Sequence, residues 1–170
     1  VRSMPAYLTE LAGIIVREFD SQPTEFCNEV VLKRADGQGA VRQDSFKASG
    51  IMEILELKGA TAKGLYTQEF YAGTPAVTVN QVGAGKVIYV GCMAEQDFYL
   101  ALMGDFMSEC QMTSLMRTPE NVQVTRRRNQ DKEYLFVINF NNSAVTLELD
   151  RTYTDILSEE KVAGNIVLDA

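Results

Sequence analysis

The chemistry open to this chain is limited first by a residue type that it lacks. The 170 residues include no histidine, so neither a Ser-His-Asp triad nor a Cys-His pair can form, and no imidazole can bind zinc. Proton transfer near neutral pH would need a carboxylate, a lysine or a cysteine with a shifted pKa. The three cysteines, Cys27, Cys92 and Cys110, form no CxxC pair, and their odd number predicts reduced, buried thiols.

Paired carboxylates are the remaining candidates for acid–base catalysis. Three pairs are close in sequence: Glu53 with Glu56, Glu95 with Asp97, and Glu159 with Glu160. Hydrolytic pairs usually come from separate elements that face each other across a pocket. Neighbouring acidic residues more often form a solvated face or the first turn of a helix. We therefore assign no catalytic, cofactor-binding or metal-binding residue, and no cofactor, from the sequence.

The segment Gly83-Ala84-Gly85-Lys86 contains the glycines and the lysine of a phosphate-binding loop. A Walker A loop also needs an earlier glycine, and a Ser or Thr after the lysine, but Asn80 and Val87 occupy those positions. The segment leads into a strand-like run, which removes the helix N-terminus that would hold an anion. We predict a hairpin turn here.

Charge and hydropathy exclude two classes of partner. The net charge is -7, and Arg126-Arg127-Arg128 is too short a basic run to track phosphates, so nucleic-acid binding is not predicted. We interpret the three arginines as outward charges at a strand end. No apolar run approaches the roughly 20 residues of a membrane helix, and no secretory leader is evident. We expect a cytoplasmic protein that binds neither nucleic acid nor membrane.

Aromatic residues could form a sugar-stacking surface. The first part of the chain contains Tyr66, Phe70, Tyr71, Tyr89, Phe98 and Tyr99. Aromatic side chains at strand and helix spacing usually belong to a core, and the chain has no tryptophan. We therefore predict that these six residues are core residues.

Local patterns in the first part of the chain alternate between helix and strand. A short helix that Ser3 caps and Gly13 ends is predicted first. Strands are predicted over 14–19 and 26–33, a polar loop over 35–50, and an extended segment over 60–70; the period over 51–57 does not decide between helix and strand. Residues 75–80 and 86–91 predict a hairpin. Apolar residues at every fourth position predict a helix from about 95 to 110.

The pattern changes after residue 116. Residues 118–121 form a break, and five short strands are predicted beyond it, over 122–127, 133–140, 145–149, 153–157 and 166–168. Their spacing is typical of an antiparallel sandwich. We predict a domain boundary near residue 118, with domains at 1–117 and 118–170.

Several segments, taken in order, resemble glycoside hydrolase family 42 β-galactosidases. Residues 11–20, which read LAGIIVREFD, are similar to that family's L-x-G-[IV]-x-V-x-E-[FY]-D segment. Residues 71–78 and 83–91 are similar to its G-x-P-A-[VA]-T-x-N and G-x-G-x-x-x-Y-[VL] stretches. Three further segments, at 122–127, 134–139 and 153–158, are similar to strands of the family's C-terminal β-sandwich domain.

The resemblance implies a fold and a role. Residues 1–117 would be part of an α/β trimerisation domain, flavodoxin-like or class I amidotransferase-like with a mixed sheet, whose N-terminal portion is missing. Residues 118–170 would form a small all-β antiparallel sandwich. In the family these parts follow a (β/α)₈ barrel with two catalytic glutamates, and no segment here resembles that barrel. The expectation is a non-catalytic C-terminal part of a retaining β-galactosidase that self-associates as a homotrimer and meets galactosides only through the absent barrel.

Two other functions are alternatives to assembly. A carbohydrate-binding sandwich could use Tyr134, Phe136, Phe140 and Tyr153, provided that their rings are exposed in one plane. An amidotransferase-like enzyme with a cysteine nucleophile would need a histidine partner, which the chain lacks. The first of these remains the alternative to assembly.

Overall fold

The computed structural model describes residues 4–23, 25–35 and 41–170, and the chain forms two compact units. Unit 1 ends at Cys110, and unit 2 spans Gln111–Ala170. Strands make up 52% of the structure and helices 13%. The domain boundary near residue 118 stays a prediction, and each unit is described on its own below.

The described residues of unit 1 form seven strands and two α-helices. A 3₁₀ turn at Ala6–Leu8 leads into α1 (Thr9–Ala12). The other elements are β1 (Ile14–Ser21), β2 (Cys27–Ala35), β3 (Val41–Leu57), β4 (Thr61–Tyr66), β5 (Pro75–Val82), β6 (Gly85–Val90), β7 (Cys92–Ala94) and α2 (Gln96–Glu109). Gly13 ends α1 in the left-handed conformation, with φ of 65°, as the sequence predicts. The predicted cap Ser3 lies outside the described residues.

The strands of unit 1 form one antiparallel sheet whose order closes on itself. The order is β1-β3-β2-β4-β5-β6, and β7 pairs with β3. The closure takes place at Gly91, between β6 and β7. Its N–H donates to the carbonyl of Ala76 on β5 at 2.9 Å, and its carbonyl accepts from the N–H of Glu53 on β3 at 2.6 Å. The chain therefore changes partner at Gly91, and the strands from β2 to β7 enclose a small barrel.

This architecture contradicts the predicted α/β domain with a mixed sheet. Every pairing between the described strands of unit 1 is antiparallel, and α2 is the one helix longer than four described residues. Parallel neighbours need a crossover of a dozen or more residues, usually with a helix. The links between consecutive strands here are too short for that, because β5 and β6 are separated by only two residues. The flavodoxin-like expectation is wrong for these residues.

The predicted polar loop over 35–50 is wrong from residue 41 onward. Residues 41–50 belong to β3, and β2 pairs with them from Cys27 opposite Ser49 to Ala35 opposite Val41. The polar composition comes from side chains that pair across the strands, such as Arg34 with Asp44 at 2.8 Å. A polar composition indicates only that the residues contact solvent. An antiparallel strand pair with one solvated face is as compatible with that composition as a loop is. Residues 36–40 lie outside the described residues.

The core of unit 1 lies inside the barrel and under α2. Its buried members are Val30, Leu32, Ala48, Met52, Tyr66, Tyr71, Ala76, Val77, Cys92, Phe98 and Leu102. Phe98 of α2 is fully buried and meets the ring of Phe46 edge-on, with ring centroids 5.8 Å apart. A second cluster, which includes Ile14, Val16 and Leu55, joins β1 to the end of β3. The predicted helix is therefore confirmed, and Phe98 and Leu102 of its four-residue repeat cover the barrel core, whereas Cys110 at the end of the repeat is exposed.

Unit 2 is entirely β in its regular structure. It contains β8 (Val122–Arg128), β9 (Glu133–Asn139), β10 (Val145–Glu148), β11 (Tyr153–Thr154), β12 (Lys161–Val162) and β13 (Asn165–Leu168). The antiparallel pairs are β8 with β9, β10 with β13, and β11 with β12. The predicted strand over 153–157 is wrong beyond Thr154, because Asp155 accepts hydrogen bonds from the Leu157 N–H and the Ser158 hydroxyl in a turn.

Candidate functional site

Three of the six candidate carboxylates are used by the fold, whereas Asp97, Glu159 and Glu160 are exposed to solvent. The Tyr89 hydroxyl donates to Glu53 Oε2 at 2.6 Å, and Glu56 is paired with Arg17 and Lys58. Glu95 occupies the N-cap position of α2 without capping it through its side chain, and its carboxylate accepts the Lys47 N–H at 2.7 Å. Each of these three carboxylates therefore has a structural partner, and no two of them face each other across an enclosed pocket in the described part of the chain.

The glycine-bearing segment is the tight turn of the β5–β6 hairpin, as predicted. Gly83 has a φ of 57°, and Val82 pairs directly with Gly85 across the turn. The lysine that a phosphate loop would direct at its ligand instead binds Glu109 of α2, with Nζ 2.8 Å from the carboxylate. The segment therefore holds the hairpin to the helix.

The cysteines do not form a reactive or metal-binding group. Cys92 is buried and Cys27 and Cys110 are exposed, all as free thiols, so burial is confirmed for only one of the three. Burial raises the pKa of the Cys92 thiol to about 12, which keeps it protonated and unreactive at neutral pH. No group of His, Cys, Asp and Glu that could hold a metal ion occurs among the residues that the structure describes.

The aromatic side chains of unit 1 divide between core and surface. Tyr66, Tyr71 and Phe98 are buried, as predicted. Phe70 and Tyr99 are exposed, with 76% and 41% of their surface accessible, so the prediction of a core position is wrong for these two. Tyr89 is partly buried and packs against the second cluster. No continuous row of exposed rings for sugar stacking forms from these residues.

The buried hydroxyl of Tyr66 holds the point at which the barrel closes. It donates to the carbonyl of Gly91 at 2.7 Å, which also accepts the N–H of Glu53. Burial raises the pKa of Tyr66 well above its usual range, so the hydroxyl stays a neutral donor. A side chain at position 91 would also lie 3.1 Å from Leu55. Tyr66 and Gly91 are therefore positioning residues for the fold.

A network of ion pairs fixes α2 on the barrel. Arg34 of β2 donates to both carboxylate oxygens of Asp105, with its closest nitrogen at 2.8 Å. Lys63 of β4 lies 3.5 Å from Asp105 and 3.6 Å from Glu109, which also binds Lys86. The side chains of Arg34, Asp105 and Lys63 are at most 15% exposed. Three strands therefore hold one helix face through charge, which sequence reasoning missed because the partners are 20 to 70 residues apart.

This network predicts acid-dependent stability. Burial opposes ionisation of Asp105, but the hydrogen bonds and charges of Arg34 and Lys63 outweigh it and hold the pKa of Asp105 below its ordinary 3.8. The hydrogen bond from Lys86 lowers the pKa of Glu109 below its ordinary 4.5. A carboxyl group whose pKa is lower in the folded state stabilises fully above its unfolded pKa and less as pH falls. Urea unfolding should therefore show a free energy that declines as pH falls through 4.5 and 3.8.

The matched variant for that prediction is Asp105→Asn. The amide cannot balance Arg34, so we expect a loss of about 2 kcal/mol at pH 7. Because the titrating group is gone, the difference between variant and unmodified chain should shrink as pH falls below 3.8. A difference that stays constant down to pH 3 would contradict this account of the network.

Unit 2 shows only part of the aromatic platform that the carbohydrate-binding alternative needs. Phe136 of β9 and Phe140, which directly follows that strand, are exposed. Tyr134 is half-buried, and the hydroxyl of the half-buried Tyr153 donates to Asp150 at 2.7 Å. Only two of the four rings are therefore fully exposed, and this alternative has less support than assembly. The arginines at 126–128 are exposed at the end of β8, as predicted.

Exposed apolar side chains form a surface on α2 and on the strands β3 and β7 of unit 1. We name it the apolar surface; it contains Ile51, Met93, Tyr99, Leu100, Met103 and Met107. All except Met107, which is partly buried, are between 41% and 63% exposed. The Ala94 N–H donates to the Tyr99 hydroxyl at 3.2 Å, which joins α2 to β7. Contiguous exposed apolar side chains of this kind mark interaction surfaces.

Comparison with protein families gives two matches that together span most of the chain. The family model of the β-galactosidase trimerisation domain matches residues 1–113. That of the β-galactosidase C-terminal domain matches residues 121–170. None of the described helices is both long and apolar enough to cross a membrane.

Comparison with known proteins agrees with both matches. The β-galactosidase BgaA of Planococcus sp. (strain 'SOS Orange') is 32% identical over 165 residues, which are 96% of this chain and 24% of that protein. LacA of Lactobacillus acidophilus is 33% identical over 92% of this chain and 22% of its own length. The solved β-galactosidase of Bacillus circulans sp. alkalophilus superposes over all of this chain and 25% of its own, with a TM-score of 0.81 and 27% identity. The solved β-galactosidase of Rahnella sp. R3 superposes with a TM-score of 0.77 and is 30% identical, and this chain covers 24% of its length. The chain thus spans about a quarter of the length of these relatives.

Proposed function

Because the chain belongs to the glycoside hydrolase family 42 β-galactosidases, we propose that it is a non-catalytic assembly module whose copies associate in threes. The observation that carries this proposal is the match of residues 1–113 to the trimerisation domain of that family. This region contains all of unit 1, which ends at Cys110. Unit 1 is therefore the part that we expect to self-associate.

The mechanism is positional. The closed barrel of unit 1 leaves few free strand edges. The ion pairs fix the orientation of α2 on the barrel. The unit can therefore present one surface to a partner in a defined orientation. The described residues offer no facing carboxylates and no metal-binding group, and burial keeps the thiol of Cys92 protonated. Packing between copies would then set the positions of catalytic barrels that are supplied outside these residues. The reaction of the assembled enzyme would be the hydrolysis of terminal β-D-galactosides, since the relatives are named β-galactosidases.

A cytoplasmic location belongs to the same proposal. All three cysteines are free thiols, and two of them are exposed. Exposed thiols stay reduced in the cytosol, whereas secreted domains usually pair them.

Sedimentation velocity over a dilution series tests the assembly function. We expect the weight-average sedimentation coefficient to rise with concentration, because association follows mass action. Each copy carries a net charge of -7, so added salt should favour association by screening the repulsion. A coefficient that stays at the value of a single chain at every concentration would refute self-association, and measurable galactoside hydrolysis by the pure chain would refute the non-catalytic role.

A further inference from the structure

The outer side of α2 carries one exposed charged residue, Asp97 in its first turn, and a row of exposed apolar side chains beside it. Its inner face buries Phe98 and Leu102. Asp105 and Glu109 are bound to basic residues of the barrel. On the outside, by contrast, Leu100 is 63% exposed. A helix that carries an exposed apolar stripe besides its buried face has a surface suited to a further contact.

The residues on the outer face follow a heptad spacing. We name as the seam Gln96, Leu100, Met103, Met107 and Cys110, whose separations are four, three, four and three residues. This is the alternation of a and d positions with which one helix packs along another in a coiled coil. Gln96 is exposed, as are Leu100, Met103 and Cys110, and Met107 is partly buried. The seam runs for two heptads, roughly 20 Å at the rise of an α-helix. Its spacing fits a second helix of the same kind.

Charge favours another copy of this chain as the occupant. Copies with a net charge of -7 repel each other over most of their surface, and close contact between like charges is unfavourable. The seam contains no charged side chain. Asp97, the one acidic residue of α2 that pairs with no described basic residue of the barrel, lies about 60° around the helix from Leu100, off the seam. Identical copies can therefore meet along the seam without bringing like charges together.

We propose that α2 of three copies packs around a common axis along the seam. This inference rests on the proposed function, because three copies are what the trimerisation family implies. A threefold axis makes the three helices parallel and brings the same seam residues of every copy to the axis. The flexible side chains of Met103 and Met107 suit such a contact, since methionine fills irregular gaps. Ile51 and Met93 of the apolar surface flank the helices.

A charge placed in the seam tests the contact. Met103→Glu would bring three carboxylates together at the axis, and we expect the association constant measured by sedimentation to fall at least tenfold. Leu157→Glu is the matched control, because Leu157 is 95% exposed and lies in unit 2; it should associate as the unmodified chain does. Circular dichroism of both variants shows whether they are folded. A folded Met103→Glu variant that associates normally would overturn the inference.

Cross-linking through Cys110 tests the same contact without disturbing the seam. A Cys27→Ser background removes the other exposed thiol. Copper–phenanthroline would then join two Cys110 thiols in a disulfide, with two protons released and two electrons passed to the oxidant. Around a threefold axis one cysteine per chain can join only two chains of three, so the disulfide-linked dimer should level off near two thirds of the protein. The Cys27→Ser, Cys110→Ser chain should give no dimer.

The possible outcomes distinguish failure of this inference from failure of the proposed assembly function on which it rests. A chain that never associates overturns both. A chain that associates, yet gives no Cys110 disulfide, retains the assembly function and overturns the seam. Complete conversion to linked dimer would also overturn the threefold arrangement, because it requires an even number of copies.

Discussion

Replacement of Phe98 by alanine should lower the free energy of unfolding of unit 1 by about 3–5 kcal/mol. The ring is fully buried in the barrel core and packs edge-on against Phe46. Its removal leaves a cavity that the ion pairs of α2 resist closing, because they fix the helix to three strands. Urea unfolding followed by tyrosine fluorescence measures the loss, since five of the seven tyrosines precede residue 110.

Phe70→Ala is the matched control for that substitution. It removes the same ring from a position that is 76% exposed, so the expected cost is below about 1 kcal/mol. Equal losses for the two variants would mean that α2 does not cover the core as described.

Gly13→Ala should destabilise unit 1 by about 3 kcal/mol, from two additive causes. Gly13 has a φ of 65°, which an alanine adopts only at a cost. A Cβ there would also lie 2.8 Å from the backbone nitrogen of Ala60 and 2.7 Å from the Asn80 amide. The Gly13 carbonyl accepts the N–H groups of Lys58 and Ala60, so the backbone cannot move away without losing hydrogen bonds. The same unfolding measurement reports the loss.

Gly83→Ala separates the two causes. Gly83 has a similar φ of 57°, but nothing lies within 4 Å of the position of its Cβ. We expect about 1 kcal/mol from the backbone conformation alone. The difference between the variants measures the close approach of Gly13 to Ala60 and Asn80, and a difference near zero would contradict that packing.

Local patterns in the sequence predicted the elements that local forces determine. α2 was predicted within about one residue at each end, because Phe98 and Leu102 recur at helical spacing and Glu95 precedes the first turn. The β5–β6 hairpin was predicted because glycines lie between two β-rich runs. The left-handed end of α1 at Gly13 was predicted because glycine readily adopts the left-handed conformation that ends a helix.

The errors arose where distant partners decide the structure. The first half of β3 has loop-like composition, and its conformation follows from pairing with β2. The α/β expectation came from the fold implied by the family resemblance, whereas the described strands pair only with antiparallel neighbours. The family itself was identified correctly from ordered motifs. The ion network of Arg34, Asp105 and Lys63 could not be predicted, because its members come from separate elements.

The most direct test of the assembly function is the molar mass of the unmodified chain by light scattering at several concentrations. We predict a mass that rises with concentration to a plateau at three times that of one chain, because unit 1 matches a domain that holds three subunits together. A mass of one chain at every concentration, or a plateau at two chains, would contradict the account.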